Sequence, residues 1–250
     1  MLRALTGPLA DLRREAPRVL DEIDRREIPA RAVGGLAVHL RCPSAAQPPL
    51  ARDYKDLDLA AAFAAVRPLT QALEDLGYEA DREFNALHGR ERLLFWDATN
   101  GRQLDVFVDR MVLCHTLELA GRVALEPRTL PLADLLLAKL QVVELNERDL
   151  KDAAALLADH EVDAGGVDPD RVTEVLAADW GWWRTATATL ARVAGYARDL
   201  DGFAGAAAVA ERAGALGERI EAAPKSRRWR MRAKIGERKR WYELPEEING

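Results

Sequence analysis

The stretch that decides the fold is RDYKDLDLA, residues 52–60, in which two carboxylates stand two residues apart. Polar and apolar residues alternate over its second half, a pattern that predicts a half-buried β-strand. Successive side chains of a strand point to opposite faces, so Asp56 and Asp58 should project from one face while the leucines beside them face the core. The pattern therefore predicts a pair of carboxylates on the surface of a sheet.

A third carboxylate, Asp105, lies in LDVFV, residues 104–108, which shows the same alternation. Three carboxylates on one sheet face repel one another, and hard divalent cations relieve that repulsion because they prefer oxygen ligands. Two such ions, about 3.5–4 Å apart, can stabilise the attacking and leaving oxygens of a phosphoryl displacement. Asp56, Asp58 and Asp105 are therefore candidate ligands for two Mg²⁺ ions, and Mn²⁺ has the same ligand preference.

A glycine pair, Gly34-Gly35, lies between a predicted strand at 28–33 and a predicted helix start. Backbone without side chains lets N–H groups approach a phosphate at such a position. Taken alone, a glycine pair usually marks only a turn, and Asp-x-Asp on a strand is usually a solvated edge. The fixed order of strand, glycine pair, helix, Asp-x-Asp strand and later Asp strand favours a functional site.

The predicted elements change character along the chain. Up to about residue 128 strands and helices alternate, whereas Ala- and Leu-rich helices follow Pro131. Before that point the predicted strands are 28–33, 56–60, 78–84, 92–97 and 102–109, and Asn100-Gly101 predicts a hairpin turn between the last two. One predicted helix, at 9–26, is broken near Pro17. A second predicted helix, at 61–76, has Phe63 on its apolar face and ends before Gly77. We expect an α+β fold, with a small mixed β-sheet core and flanking helices over residues 1–128 and a C-terminal helical domain over 129–250.

Composition excludes several classes of protein. Of 250 residues, 48% are hydrophobic and the net charge is only −5, so the chain is not of the disordered type. Two cysteines are too few for a disulfide scaffold or a cysteine zinc site. Charged residues near the N-terminus leave no signal-peptide core, and no apolar stretch approaches the ~18 residues of a membrane span. We therefore expect a cytoplasmic protein without a membrane partner.

The charge is unevenly distributed. Residues 225–240 contain nine basic residues and one acid, a net +8, which leaves −13 for the rest of the chain. A basic tail on an acidic body predicts contact with an anionic partner, and the candidate nucleic-acid-binding residues are Arg227, Arg228, Arg230, Arg232 and Trp229. The alternatives are a solvated cationic helix, or a tail that packs on the acidic body with Trp229 and Trp241 as anchors.

Three motifs occur in a set order: Val33-Gly34-Gly35, Asp56-Leu57-Asp58-Leu59 and Leu104-Asp105-Val106. In this order they resemble the nucleotidyltransferase superfamily with the DNA polymerase beta-like fold. Over residues 28–160 the chain also resembles one branch, the AbiEii-like nucleotidyltransferase toxins of type IV toxin–antitoxin systems. That likeness is carried by Arg52 and Tyr54 before the Asp pair, by Asp134-Leu135 with Lys139-Leu140, and by Arg148-Asp149-Leu150-Lys151-Asp152.

The resemblance implies roles for these residues. Asp56 and Asp58 would hold the metal that escorts a nucleoside triphosphate, and Asp58 and Asp105 would hold the second metal, at the acceptor hydroxyl. Asp105 could also accept the hydroxyl proton, and Lys139 would be a catalytic point charge on the triphosphate. The implied nucleotide-binding set is Gly34, Gly35, Arg52, Lys139, Asp149 and Asp152.

Two features depart from the family pattern. Leu36 stands where a small hydroxyl residue usually follows the glycines, so a side-chain hydrogen bond to phosphate is missing and backbone must suffice. Residues 36–55 also form a longer spacer than usual before the Asp pair. Neither departure removes a metal ligand.

The implied reaction transfers a nucleoside monophosphate from an NTP to an acceptor hydroxyl and releases pyrophosphate. RNA, and the 3′ end of tRNA in particular, is the favoured acceptor because toxins of this branch modify tRNA and because the tail is basic. An antitoxin protein would then be a partner. Two alternatives stay open: a small-molecule enzyme of the aminoglycoside type, whose cationic substrate would suit an acidic body, and a catalytically degenerate binding module of the same fold.

Overall fold

The computed structural model describes residues 7–244 and divides the chain into two compact units. Unit 1 comprises the chain up to Ala37 together with Asp53–Met111 and Glu118–Pro131. Unit 2 comprises Val38–Arg52, Val112–Leu117 and the chain from Leu132 onward. Each unit has its own buried apolar core.

The elements before Pro131 form a sheet with flanking helices. The helices are α1 (Leu12–Arg25), α2 (Gly34–Arg41), α3 (Val66–Asp75) and α4 (Arg82–His88). The strands are β1 (Ala30–Val33), β2 (Leu57–Ala61), β3 (Glu79–Ala80), β4 (Arg92–Asp97), β5 (Arg102–Val108), β6 (Arg110–Val112) and β7 (Thr116–Glu118). Helix α2 continues from unit 1 into unit 2, and β6 pairs with β7 in a small separate sheet.

The main sheet has five strands in the order β1-β2-β5-β4-β3. Strands β2 and β5 are parallel, and the other neighbours are antiparallel. The predicted Asn100-Gly101 hairpin is confirmed, because β4 and β5 pair on either side of it and Gly101 has a φ of +64°. A mixed sheet with helices in the first half and helices throughout the second confirms the predicted α+β class.

Three local predictions in unit 1 are wrong. Residues 78–84 form a two-residue strand followed by α4, because the Asp81 side chain accepts a hydrogen bond from the Phe84 N–H and so caps a helix. Helix α1 runs through Pro17 without a break, since a continuous face that includes Val19 and Leu20 is buried around it. Phe63 is 51% exposed, because it lies in a short 3₁₀ turn before α3 rather than on its buried face.

After Pro131 the described chain is helical. Its helices are α5 (Leu132–Leu140), α6 (Glu147–Asp159), α7 (Pro169–Ala178), α8 (Trp180–Asp199), α9 (Ala206–Ala222) and α10 (Arg227–Ile235). The carboxylate or amide oxygens of Asn146, Asp168 and Asp179 accept backbone N–H groups at the starts of α6, α7 and α8. Asp179 therefore divides the continuous Ala-rich pattern of residues 168–200 into two helices.

Within residues 7–244, no helix combines the length and the apolar composition needed to cross a bilayer.

Candidate active site

Two of the three candidate carboxylates lie side by side in the sheet. Strands β2 and β5 run parallel with Asp58 directly opposite Asp105, and side chains at paired positions share one face. Asp105 is buried, Asp58 is half-buried, and Asp56 is exposed one residue before β2 begins. The sheet therefore brings Asp58 and Asp105 together, with Asp56 on the chain that leads into them.

Gly34 makes room for this carboxylate pair. Its φ is +72°, in the left-handed region that favours glycine, and β1 places Val33 opposite Asp58. A Cβ at residue 34 would overlap the Asp58 Oδ2 atom. The glycine is thus required for the close approach of the Asp58 carboxylate, whereas sequence reasoning had assigned it only to phosphate approach. Gly35 follows in the first turn of α2.

Arg92 is a site residue that sequence reasoning missed. The Arg92 Nε donates to Asp105 Oδ1 at 2.7 Å, and the guanidinium lies over the Phe107 ring with 5.5 Å to the centroid. Burial raises the pKa of Asp105 and the nearby Asp56 carboxylate adds to that rise, although the Arg92 charge opposes both. The antiparallel register that places Arg92 opposite Phe107 is the tertiary feature behind the contact.

The carboxylate pair is a candidate site for a divalent cation. Carboxylate oxygens are the donors that Mg²⁺ and Mn²⁺ prefer, and strand register brings Asp58 and Asp105 together. Within residues 7–244, however, no three His, Cys, Asp or Glu side chains stand in an arrangement that could hold a metal ion. Asp105 is held by Arg92, and a third ligand from Asp56 would require movement of the segment before β2. Asp58 and Asp105 thus fit a divalent cation in donor type and in strand register, but within residues 7–244 they do not form a three-ligand cluster with Asp56.

The other candidate residues form a charged cluster inside unit 2. The Arg52 guanidinium forms a bidentate pair with Asp152, with its Nε 2.8 Å from Oδ1 and its Nη2 2.7 Å from Oδ2. The Lys139 Nζ lies 2.8 Å from Asp152 Oδ2 and 3.3 Å from Asp149 Oδ1. Residues from three separate segments of the chain therefore meet in one balanced network of two cations and two carboxylates.

The network controls the ionisation of its buried carboxylate. Asp152 is 2% exposed, and burial alone would raise its pKa, but the Lys139 ammonium and the Arg52 guanidinium outweigh burial and lower it. Conversely, Asp152 and then Asp149 raise the pKa of Lys139 against the effect of burial. Both changes keep the Lys139 ammonium charged and fixed in position at neutral pH.

We expect Lys139→Met to lower the free energy of unfolding by about 1–3 kcal/mol, since Asp152 then keeps only Arg52 as a cationic partner. Lys151→Met is the matched control, because Lys151 forms its ion pair with the exposed Glu147 one helical turn away. Urea denaturation measures both. The stabilisation is present above the ordinary Asp pKa of about 4 and is lost as pH falls through the lowered pKa of Asp152. An equal effect of the two substitutions would contradict a special role for the cluster.

The basic tail lies along the helical unit through its aromatic residues. The Trp229 ring packs edge-on against Trp183 with centroids 5.2 Å apart, and the Arg232 guanidinium lies 4.6 Å from the Trp180 ring centroid. Trp241 packs edge-on against Trp180 at 5.9 Å, and its indole Nε1 donates to Thr185 Oγ1. Arg227, Arg228 and Arg230 are exposed. The aromatic residues of the tail thus act as packing anchors, and these three arginines remain at the surface.

Neither a protein-family model nor a curated protein matches this sequence. Among solved structures, the antibiotic-resistance factor ANT(2'')-Ia is similar, with a TM-score of 0.36 and 16% identity over 55% of this chain and 77% of that one. An H. pylori protein described as a proposed nucleotidyltransferase has a TM-score of 0.40 and 13% identity over 86% and 97% of the two chains. JHP933 from Helicobacter pylori has a TM-score of 0.41 and 14% identity over 84% and 92%. Because these identities and TM-scores are low, the similarities carry no argument about function, and the proposal below is argued from this chain's own residues.

Proposed function

We propose that this chain is a metal-dependent nucleotidyltransferase that moves a nucleoside monophosphate from an NTP to an acceptor hydroxyl and releases pyrophosphate. The observation that carries the proposal is the pairing of Asp58 with Asp105 on adjacent parallel strands. Gly34, whose φ lies in the left-handed region, is next to this pair, and the Asp58 carboxylate leaves no room for a Cβ at residue 34. A sheet has no structural need to place two carboxylates side by side. Such an arrangement is typical of sites that bind divalent cations and phosphates.

The candidate residues have separate roles in metal binding, proton transfer and triphosphate binding. Asp56, Asp58 and Asp105 would hold two Mg²⁺ or Mn²⁺ ions, which when bound lower the pKa of the acceptor hydroxyl and offset charge on the triphosphate. Asp105 suits proton acceptance, because burial already raises its pKa and so makes its carboxylate a better base. The Lys139 ammonium, fixed by Asp149 and Asp152, would supply a point charge to the triphosphate.

For the acceptor we favour RNA, and within RNA the 3′ end of tRNA. Support comes from Arg227, Arg228 and Arg230, which are exposed on α10 and form no ion pair within residues 7–244. Exposed cations on one helix suit a phosphate backbone, whose neutralisation releases counterions. In this proposal the protein is a toxin of the AbiEii-like type, and a cognate antitoxin protein is its partner.

The test is incubation of the full chain with each α-³²P-labelled NTP, Mg²⁺ or Mn²⁺, and total RNA. Label should appear on RNA of tRNA size and should be absent without a divalent cation. The same reactions with aminoglycosides and with protein in place of RNA identify the other acceptor classes. Label on an aminoglycoside alone would replace RNA by a small-molecule acceptor. No label on any acceptor, with all four NTPs, would leave a binding module and contradict the enzyme.

A further inference from the structure

Unit 2 contains a cavity of about 550 Å³ that the proposed reaction does not use. We call it the α8–α10 cavity, because its walls come from the start of α8, from α10 and the segment after it, and from residues 112–116. Its volume lies within the range of about 300–1,000 Å³ that is typical of small-ligand sites.

The wall of the cavity is cationic. Arg228, Lys239 and Arg240 line it, and none of them forms an ion pair within residues 7–244. Of the two acids that also line it, Asp179 is occupied as the N-cap of α8, where its Oδ1 accepts the Trp182 backbone N–H. The remaining positive charge favours an anionic ligand.

The wall also holds buried donors that lack an acceptor. The Trp182 side chain is only 4% exposed, and its indole Nε1 is buried without a hydrogen-bond partner. The Nε1 atom of Trp229 is in the same state. Other tryptophans of this region are satisfied, since Trp241 donates to Thr185 and Trp183 donates to Glu221. Because buried N–H groups are nearly always paired, two unpaired donors in one cavity wall indicate acceptors supplied by a ligand.

We infer that the α8–α10 cavity binds a nucleoside phosphate, either as a free nucleotide or as a unit of single-stranded RNA. The phosphate would pair with Arg228 and Lys239, and base heteroatoms would accept the indole N–H groups, beside aromatic walls on which a base can stack. An inorganic anion would leave the aromatic walls without a contact, and an apolar ligand would leave the cations unpaired. The inference does not depend on the carboxylate pair, because none of the residues that line the cavity lies on β1, β2 or β5.

The test measures binding of 5′-AMP to the full chain by tryptophan fluorescence in EDTA, where no divalent cation is present. Arg228→Ala/Lys239→Ala should weaken binding about tenfold or more, since two charge-assisted contacts are lost. Arg227→Ala/Arg230→Ala is the matched control: it removes the same net charge, but neither residue lines the cavity. We expect the control to change affinity by less than about twofold.

A second variant probes the buried donors. Trp182→Phe keeps the ring and removes the N–H, and we expect about fivefold weaker AMP binding with an unchanged circular dichroism spectrum. Asp105→Asn should leave the affinity unchanged, which distinguishes this cavity from a nucleotide site at the sheet. Equal losses in the two arginine and lysine double variants, or no AMP binding to the wild type in EDTA, would overturn the inference.

Binding measurements with other ligands identify whether the cavity takes a free nucleotide or an RNA strand. Inorganic phosphate and adenosine should each bind more weakly than AMP. Phosphate that binds as tightly as AMP would contradict the proposed contact with the base, and adenosine that binds as tightly as AMP would contradict the proposed contact with the phosphate. An unlabelled single-stranded RNA decamer that displaces AMP assigns the cavity to an RNA strand, and the Arg228→Ala/Lys239→Ala variant should then bind that RNA with a reduced salt dependence. An RNA that fails to displace AMP assigns the cavity to free nucleotides.

Discussion

Asp105→Asn should abolish nucleotidyl transfer while leaving the protein folded and at least as stable as the wild type. Loss of a metal ligand forfeits several kcal/mol of transition-state stabilisation, so we expect kcat to fall by about 10³-fold or more. Stability should move the other way, because burial raises the pKa of Asp105 and the ionised form is therefore disfavoured in the folded state. The neutral amide removes that penalty and keeps the shape.

The raised pKa of Asp105 determines how the stability difference between the variant and the wild type changes with pH. A carboxyl whose pKa is raised on folding destabilises the native state as pH rises from the ordinary Asp pKa of about 4 through the raised value. The melting temperature of Asp105→Asn should thus equal that of the wild type in acid and exceed it near pH 7. Asp53→Asn is the matched control, since this residue of the same RDYKDLD stretch is fully exposed and lies 3.8 Å from the Arg13 guanidinium. Transfer by Asp105→Asn at the wild-type rate would contradict the assignment.

The carboxylate pair could be predicted from the sequence because each strand has a single aspartate flanked by apolar residues. The pattern predicts that Asp58 and Asp105 lie on one sheet face. The parallel register that puts the two residues directly opposite each other is given by the structure alone. The hairpin turn was equally local, since Gly101 supplies the positive φ that the four-residue loop between Asp97 and Arg102 needs. Local patterns of this kind depend on residues close in sequence.

Arg92 and the fit of Gly34 against Asp58 could not be predicted, because both depend on how separate strands pair. Nothing in RLLFWD marks its arginine as the partner of a carboxylate 13 residues later until β4 folds back on β5. The strand predicted at 78–84 is wrong for a different reason: Asp81 acts as a helix cap, and a capping side chain competes with strand pairing. The charged cluster around Asp152 lies between these cases, since the resemblance named its members but not their contacts.

The tail was the least determined part of the sequence. A +8 segment with interleaved tryptophans suits nucleic-acid binding, a solvated helix and internal packing equally well, because composition carries no information about burial. The structure separates its residues by face. Trp229 and Arg232 pack on the helical unit, whereas Arg227 and Arg230 point to the exposed side of α10. One short helix can therefore serve both packing and an anionic partner.

We expect truncation after Ala223 to destabilise the helical unit. The truncated chain loses the edge-on contact of Trp229 with Trp183 and the contacts of Arg232 and Trp241 with Trp180. Removal of large aromatic contacts costs about 3 kcal/mol or more, and for a chain of this size that corresponds to a melting temperature about 6–12 °C lower. Trp180, which is 6% exposed in the full chain, should then become accessible and increase the binding of an apolar dye.

A charge variant separates packing from binding. Arg227→Ala/Arg228→Ala/Arg230→Ala removes exposed cations but keeps Trp229, Arg232 and Trp241, so its melting temperature should stay within about 2 °C of the wild type. Its RNA affinity should fall and become less dependent on salt, as fewer phosphates are neutralised. The truncated chain should show both the thermal and the RNA defect. If the truncated chain had the same melting temperature as the wild type, the aromatic contacts would contribute nothing to stability. If the RNA affinity of the charge variant were unchanged, the tail would no longer be a reason for preferring an RNA acceptor.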